Sequence, residues 1–127
     1  MQLENKVAII TGAASGMGKA MAKGYAKEGA SVVIADLDAD AATEVAESIN
    51  SYGGDAIAIQ YDVTDIQQSH DLVDSTVDKY GQLDVHVNNA GVIVVSPIED
   101  VTPEDWDLIF DVNAKGLFFL SQIACVP

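Results

Sequence analysis

The β-branched run Val7-Ala8-Ile9-Ile10 breaks into Thr11-Gly12-Ala13-Ala14-Ser15-Gly16-Met17-Gly18 and then into the helix formers Lys19-Ala20-Met21-Ala22. That order reads as strand, tight turn, helix. Gly12 permits a turn that a side chain would block, Gly16 lets backbone approach a ligand, and Gly18 lets the new helix pack against the strand. The N–H groups of the helix's first turn, at the positive end of its dipole, then face an anion, and a pyrophosphate suits the place. Glycine-rich turns also occur wherever a strand reverses, so the loop takes its meaning from context. The nucleoside-triphosphate form of such a loop needs Gly-Lys followed by a hydroxyl that holds magnesium. Here Gly18-Lys19 is followed by Ala20, which argues against a kinase or ATPase.

The rest of the chain alternates. The first helix is expected to run to Glu28, with Met17, Ala20, Met21 and Gly24 on one face, until Gly29 stops it. Ser31 to Ala35 reads as a fully buried strand. Ala42, Val45, Ala46 and Ile49 mark a second helix closed by Gly53-Gly54, and Ala56 to Tyr61 follows as strand three. A third helix spans Ile66 to Tyr80, with Val73, Val77 and Tyr80 inward, before Leu83 to Asn88 as strand four. Thr102 as N-cap, Pro103 at the first helical position and Glu104 and Asp105 in the first turn open a fourth helix. Such alternation predicts an α/β fold: a Rossmann-like doubly wound parallel sheet of strand order 3-2-1-4 with two helices on each face. Its ligand cleft would lie outside the carboxyl ends of strands one and four. A chain of 127 residues suits a single domain, 1–127, with one core.

Charge narrows the partners. The net charge is −14, divided as +2 over residues 1–35 and −16 over residues 36–127, and there is no arginine. Nucleic acid and anionic membrane would be repelled. Most of the acids read as a solvated face; in a high-salt setting, screening would help an anionic ligand approach. No window approaches about 20 apolar residues, so a membrane span is not expected. Cys125 is the only cysteine, which fits a reducing, cytoplasmic compartment, and no metal site is expected.

Several residues fall at the rim of the expected cleft. Asp36 ends strand two, eighteen residues after Gly18, where an acid accepts hydrogen bonds from adenosine ribose hydroxyls and repels a 2′-phosphate. NAD is thereby favoured over NADP, with no Arg or Lys close by in sequence to neutralise a phosphate. Asp36, Asp38 or Asp40 can also cap the next helix. Asp62-Val63 ends strand three, where it can meet an adenine or make a turn. Asn88-Asn89-Ala90-Gly91 ends strand four, where amides can tie neighbouring strands together. On helix four, Trp106, Ile109, Phe110, Asn113, Leu117 and Leu120 form one stripe, so Asn113 is a polar residue on an apolar face or a core amide satisfied by backbone. His86, in strand four, reads as a hydrogen-bonded core histidine.

Taken in order, T-G-x-x-x-G-x-G, Asp36, Asp62-Val63 and N-N-A-G resemble the N-terminal half of the short-chain dehydrogenase/reductase family. The resemblance spans essentially the whole chain. It implies that Gly12, Ser15, Gly16, Met17 and Gly18 line the pyrophosphate and ribose side of a nicotinamide dinucleotide. Asp36 would hold the ribose, Asp62 and Val63 the adenine, and Asn89, Ala90 and Gly91 the later part of the cofactor. It places Asn113 in a catalytic group that organises a water-linked proton path. Full-length relatives would interconvert ketones and secondary alcohols, small diols or sugars among them. The family's later Ser and Tyr-x-x-x-Lys are not found: Tyr25, Tyr52, Tyr61 and Tyr80 are followed four residues on by Gly29, Ala56, Asp65 and Asp84, and Ser121 lies inside helix four. The chain therefore reads as a truncated member that binds NAD without turning over alone. Strand four would have a bare edge, which predicts a homo-oligomer. The competing expectation is a non-catalytic assembly module that uses that edge and helix four.

Overall fold

The computed structural model describes residues 1–125; Val126 and Pro127, where the sequence predicts helix four to break off, lie outside the described residues. Four parallel strands, β1 (Val7–Thr11), β2 (Ser31–Asp36), β3 (Asp55–Gln60) and β4 (Val85–Val87), lie in the order β3-β2-β1-β4. This is the order that the alternation predicts. All five residues of β1 are buried, because the strand has neighbours on both edges and helices on both faces. Ile9 registers with Val33 of β2 and with His86 of β4.

Successive strand residues feed opposite cores. Ile10, Val32 and Ile34 pack with Ala22 of α1 (Gly16–Lys27) and with Ala42, Val45, Ala46 and Ile49 of α2 (Ala39–Ser51). Ile9, Val33 and Ala35 pack on the other face with Leu72 and Val73 of α3 (Ile66–Tyr80) and with Val112 and Leu120 of the fourth helical run. That run comprises α4 (Pro103–Phe110), a π-helical turn (Asp111–Gly116) and α5 (Leu117–Cys125). The sheet thus carries two helices on each face, as expected. Two helix starts are capped by residues the sequence offered, Asp38 accepting from the Ala41 N–H and Thr102 closing a capping box with Asp105, and α3 is capped by Asp65, which accepts from the Gln68 N–H. Asp38 is therefore the cap of α2, and Asp36 is left for other duties.

Several local expectations are corrected. The inward face of α1 is centred on Gly18 and Ala22; of the expected Met17, Ala20, Met21 and Gly24, only Met21 packs against the core, while Met17 is 77% exposed and Gly24 has open space around it. The helix starts at Gly16 and lies so close to β1 that only its smallest residues fit against the turn. β4 is three residues long rather than six. At its start Asp84 already bonds Val7 twice, through its N–H (2.9 Å) and its carboxylate (2.8 Å). At its end Asn89 turns to Thr11. The stripe expected on helix four is broken: Trp106, Phe110, Asn113 and Leu117 are exposed, and the inward line is Val112, Gly116 and Leu120. The wider i→i+5 turn shifts the residues within and after it, Asn113 and Leu117 among them, off a face laid out at 3.6-residue spacing. Contrary to expectation, the run Pro103–Cys125 is long and apolar enough to cross a membrane by length and composition, with mean hydropathy 1.3 and 17% of that window buried. Its buried line covers the sheet.

Candidate functional site

A cleft of about 290 Å³ opens at the carboxyl end of the sheet, lined from the turn after β1 by Gly12 and Ser15, from the end of β2 by Ala35, Asp36 and Leu37, and from the end of β3 by Tyr61, Asp62 and Val63. Asn89, Ala90, Gly91 and Val92 beyond β4, with Val112, complete it. One residue laces β1 to β4. The Thr11 hydroxyl accepts from the Asn89 N–H (3.1 Å) and the Ala90 N–H (3.0 Å) and donates to the Val87 carbonyl (3.3 Å). The Asn89 amide returns two bonds, donating to the Thr11 and Gly12 carbonyls at 3.1 Å each. Thr11 has no role in the sequence reading beyond its place in the motif. The signal was there: a buried hydroxyl at a strand's last position must find partners.

The glycine turn has the geometry of an anion cradle. Gly12 has φ +64°, and a Cβ there would sit 3.0 Å from the Asn89 amide nitrogen and 3.1 Å from Ala90 Cα. A Cβ at Gly18 would collide with that amide and with the Gly12 carbonyl. The first intrahelical bond of α1 runs from the Lys19 N–H to the Ser15 carbonyl. The N–H groups of Gly16, Met17 and Gly18 therefore have no partner within the helix. Ser15 makes no side-chain cap bond and the first turn holds no acid, unlike the starts of α2 and α4. Gly16 (φ +56°), Met17 and Gly18 do not line the cleft wall; Gly16 and Met17 are exposed at its mouth and Gly18 is buried beneath it.

Asp36 is held in place. One carboxylate oxygen accepts from the Ala14 N–H (3.1 Å) and the other from the Asp38 N–H (3.0 Å). A carboxylate has about four lone-pair positions, so this one keeps acceptor capacity toward the cleft. Asp62 lines the cleft, and one of its carboxylate oxygens, Oδ1, is held in a turn, accepting from the Thr64 N–H (2.9 Å) and hydroxyl (2.7 Å). Beside it the Tyr61 hydroxyl is paired with Ser69 at 2.7 Å, and burial pushes its pKa up.

Asn113 lies outside the cleft lining. Its side chain clamps Val92, accepting from the N–H (2.9 Å) and donating to the carbonyl (2.7 Å). This is the backbone-satisfied amide that the sequence left open, and it joins the π-helical turn to the chain leaving the cleft floor. On the outer side of β4, His86 Nε2 lies 2.6 Å from the Asn88 amide oxygen, and the Asn88 amide donates to Ser121 (2.9 Å). His86 Nδ1 is buried and has no hydrogen-bond partner among the described residues. Burial pulls the His86 pKa down, and the Asn88 bond opposes it.

A glycine turn, a backbone-held acid and a laced floor thus meet at one sheet end, and the short chain dehydrogenase family model matches residues 6–126. The chain belongs to the short-chain dehydrogenase family. It is 44% identical over 124 residues to elsinochrome reductase 1 of Elsinoe fawcettii, covering 97% of this chain and 46% of that one. It is 43% identical over 122 residues to galactitol 2-dehydrogenase of Agrobacterium fabrum, covering 96% and 46%. A short-chain dehydrogenase/reductase crystal structure from Mycobacterium marinum superposes with a TM-score of 0.93 at 38% identity, over 97% of this chain and 50% of that one. The chain spans about half the length of these relatives. Short-chain dehydrogenases take a nicotinamide dinucleotide and a small-molecule substrate.

Proposed function

We propose that this chain binds NAD(H) in the cleft, in preference to NADP(H), as the cofactor half of an oxidoreductase that interconverts small alcohols and ketones. The observation that carries the reading is the uncapped start of α1 beside an Asp36 carboxylate oriented by the loop's own Ala14 N–H. The cradle would hold the pyrophosphate, and Asp36 the adenosine ribose. A 2′-phosphate there would meet a fixed negative charge. The nicotinamide, when bound, accepts or donates a hydride. This chain's residues contribute around it: Thr11 and Asn89 fix the floor, Asn89-Ala90-Gly91 flank the later part of the cofactor, and Asn113 positions Val92 and is assigned to the catalytic group. The relatives' names support dehydrogenase or reductase chemistry on alcohols such as galactitol.

We also propose self-association through the outer edge of β4, which no strand covers among the described residues, and, from the lone Cys125, a cytoplasmic setting. Light scattering at tens of micromolar checks the first; a monodisperse monomer would refute it. Calorimetric titration with NAD⁺ and NADP⁺ in parallel tests the cofactor reading. Saturable binding of NAD⁺, at least tenfold tighter than NADP⁺, is expected, and Asp36→Ala should narrow that ratio. Gly18→Val should abolish binding while the chain still assembles. Equal binding of both cofactors would remove Asp36 from its role.

A further inference from the structure

The glycine turn is fastened to both of its neighbouring strands. On the β2 side the Gly12 N–H donates to the Ala35 carbonyl (2.8 Å) and the Ala14 N–H donates to Asp36 Oδ2 (3.1 Å). On the β4 side the Gly12 carbonyl accepts from the Asn89 amide (3.1 Å). Ala13 and Ala14 are buried in the core that β2 and α2 share. After Ala14 the chain leaves that support: Ser15, Gly16 and Met17 are exposed, and the next buried residue is Gly18, seated against the Gly12 carbonyl and the Asn89 amide. The stretch whose N–H groups are free of the helix is therefore suspended between Ala14 and Gly18, and Asp36 is the polar anchor at its upstream end.

The same carboxylate reaches the second helix. Its Oδ1 accepts from the Asp38 N–H (3.0 Å), and Asp38 in turn caps α2 by accepting from the Ala41 N–H (3.0 Å). One side chain at the end of β2 thus ties the turn before α1 to the start of α2, with one bond on each oxygen. A carboxylate offers acceptors on both sides, whereas an amide would set a donor against one of the two N–H groups. Bonds to an ionised acceptor are also roughly twice as strong as neutral ones. By charge alone, an acid beside an anion-binding turn is unfavourable; the bond to Ala14 gives it a reason to be there. We infer that Asp36 is a positioning residue for the anion-binding turn as well as the ribose partner proposed above, and the inference rests on that cofactor reading. Its carboxylate fixes Ala14, and with it the entry into Ser15-Gly16-Met17, and this placement outweighs the repulsion its charge exerts on a phosphate. The preference for NAD(H) is then inseparable from the turn at position 36: a neutral residue that admits a 2′-phosphate also releases Ala14.

Inorganic pyrophosphate, which carries no ribose, separates the two roles when titrated into the 127-residue chain at constant ionic strength and followed by amide NMR. In the parent, saturable shifts of the Gly16, Met17 and Gly18 amides are expected. Saturating pyrophosphate should also slow solvent exchange of the Ala14 amide about threefold, because a ligand of the fixed turn must disfavour its opening; this readout needs no variant. In Asp36→Ala the pyrophosphate dissociation constant should rise about fivefold, although a negative charge has been removed. Asp38→Ala removes an equal charge and the cap of α2 but leaves the Asp36–Ala14 bond, so its affinity should match or exceed the parent's. Pyrophosphate binding that is unchanged or tighter in Asp36→Ala overturns the positioning role and leaves Asp36 to the ribose alone. An Ala14 amide indifferent to pyrophosphate overturns it too, as does an equal loss in Asp38→Ala, which would mean that the end of β2 merely holds the fold. Absence of saturable shifts at Gly16, Met17 and Gly18 in the parent removes the cofactor reading, and the inference falls with it.

Discussion

At the residue scale, two side chains carry consequences out of proportion to their size. Thr11 is 1% exposed and its hydroxyl serves three backbone groups. Thr11→Val keeps the shape but strands the Asn89 and Ala90 N–H groups, each at the cost of an unmade buried hydrogen bond. The expected loss is about 2–4 kcal/mol, measured by urea unfolding, with Thr11→Ser recovering most of it. His86 has the opposite character, a buried Nδ1 with no hydrogen-bond partner among the described residues. Burial holds its folded pKa below the ordinary 6.5. The unfolded chain therefore binds more protons as pH falls through 6.5, so the stabilisation is present above that pH and is lost below it. His86→Leu should flatten the dependence of melting temperature on pH between 7.5 and 5.5 relative to the parent; identical slopes would show that other groups set it. The glycines and Asp36 were readable in the sequence because each has a backbone or charge requirement few residues meet. For Thr11 the sequence signalled only a buried hydroxyl in need of partners, not which ones, because they lie 76 to 79 positions away.

At the scale of elements, the strands were legible and the fourth helix was not. Fully buried parallel strands leave runs such as Ser31-Val32-Val33-Ile34-Ala35 bounded by glycine or acid, which locate them within a residue or two. Helix four follows a tertiary constraint instead. A Cβ at Gly116 would lie 2.5 Å from the Val63 carbonyl and 2.9 Å from that of Asp111, so the helix seats its backbone on the loop between β3 and α3, and Asn113 ties the π-helical turn to Val92. Neither contact leaves a periodic trace, though an Asn on an apolar face was a hint. Gly116→Ala should cost about 2 kcal/mol, since both neighbours are backbone and cannot step aside. Gly24→Ala is the matched control: that glycine lies inside α1 with nothing near a new Cβ, and alanine there should stabilise by about 0.5–1 kcal/mol through chain entropy and helix propensity. Chemical denaturation of the two variants should move in opposite directions.

At the scale of the whole molecule, charge acts where packing does not. Twenty acids stand against six lysines, and the described residues form one ion pair, Lys6 with Asp84 at 3.9 Å across partly exposed side chains. Such a pair contributes little, so the folded chain carries a net charge of −14 almost without compensation. Self-repulsion of that size favours expansion. Salt shortens its reach from about 30 Å at 10 mM to about 3 Å at 1 M. Raising KCl from 20 mM to 1 M at pH 7 should therefore raise the melting temperature by at least 3 °C, roughly 1 kcal/mol for a domain of this size. A chain stabilised by surface ion pairs would move the other way. The same screening acts on an anionic dinucleotide approaching the −16 portion of the chain, residues 36–127. NAD⁺ affinity should hold or improve over that range if the cradle binds phosphate through N–H groups that salt does not displace. A steady fall in affinity would mean that the lysines near the turn, Lys19 and Lys23, attract the cofactor instead, and that binding is Coulombic and not geometric.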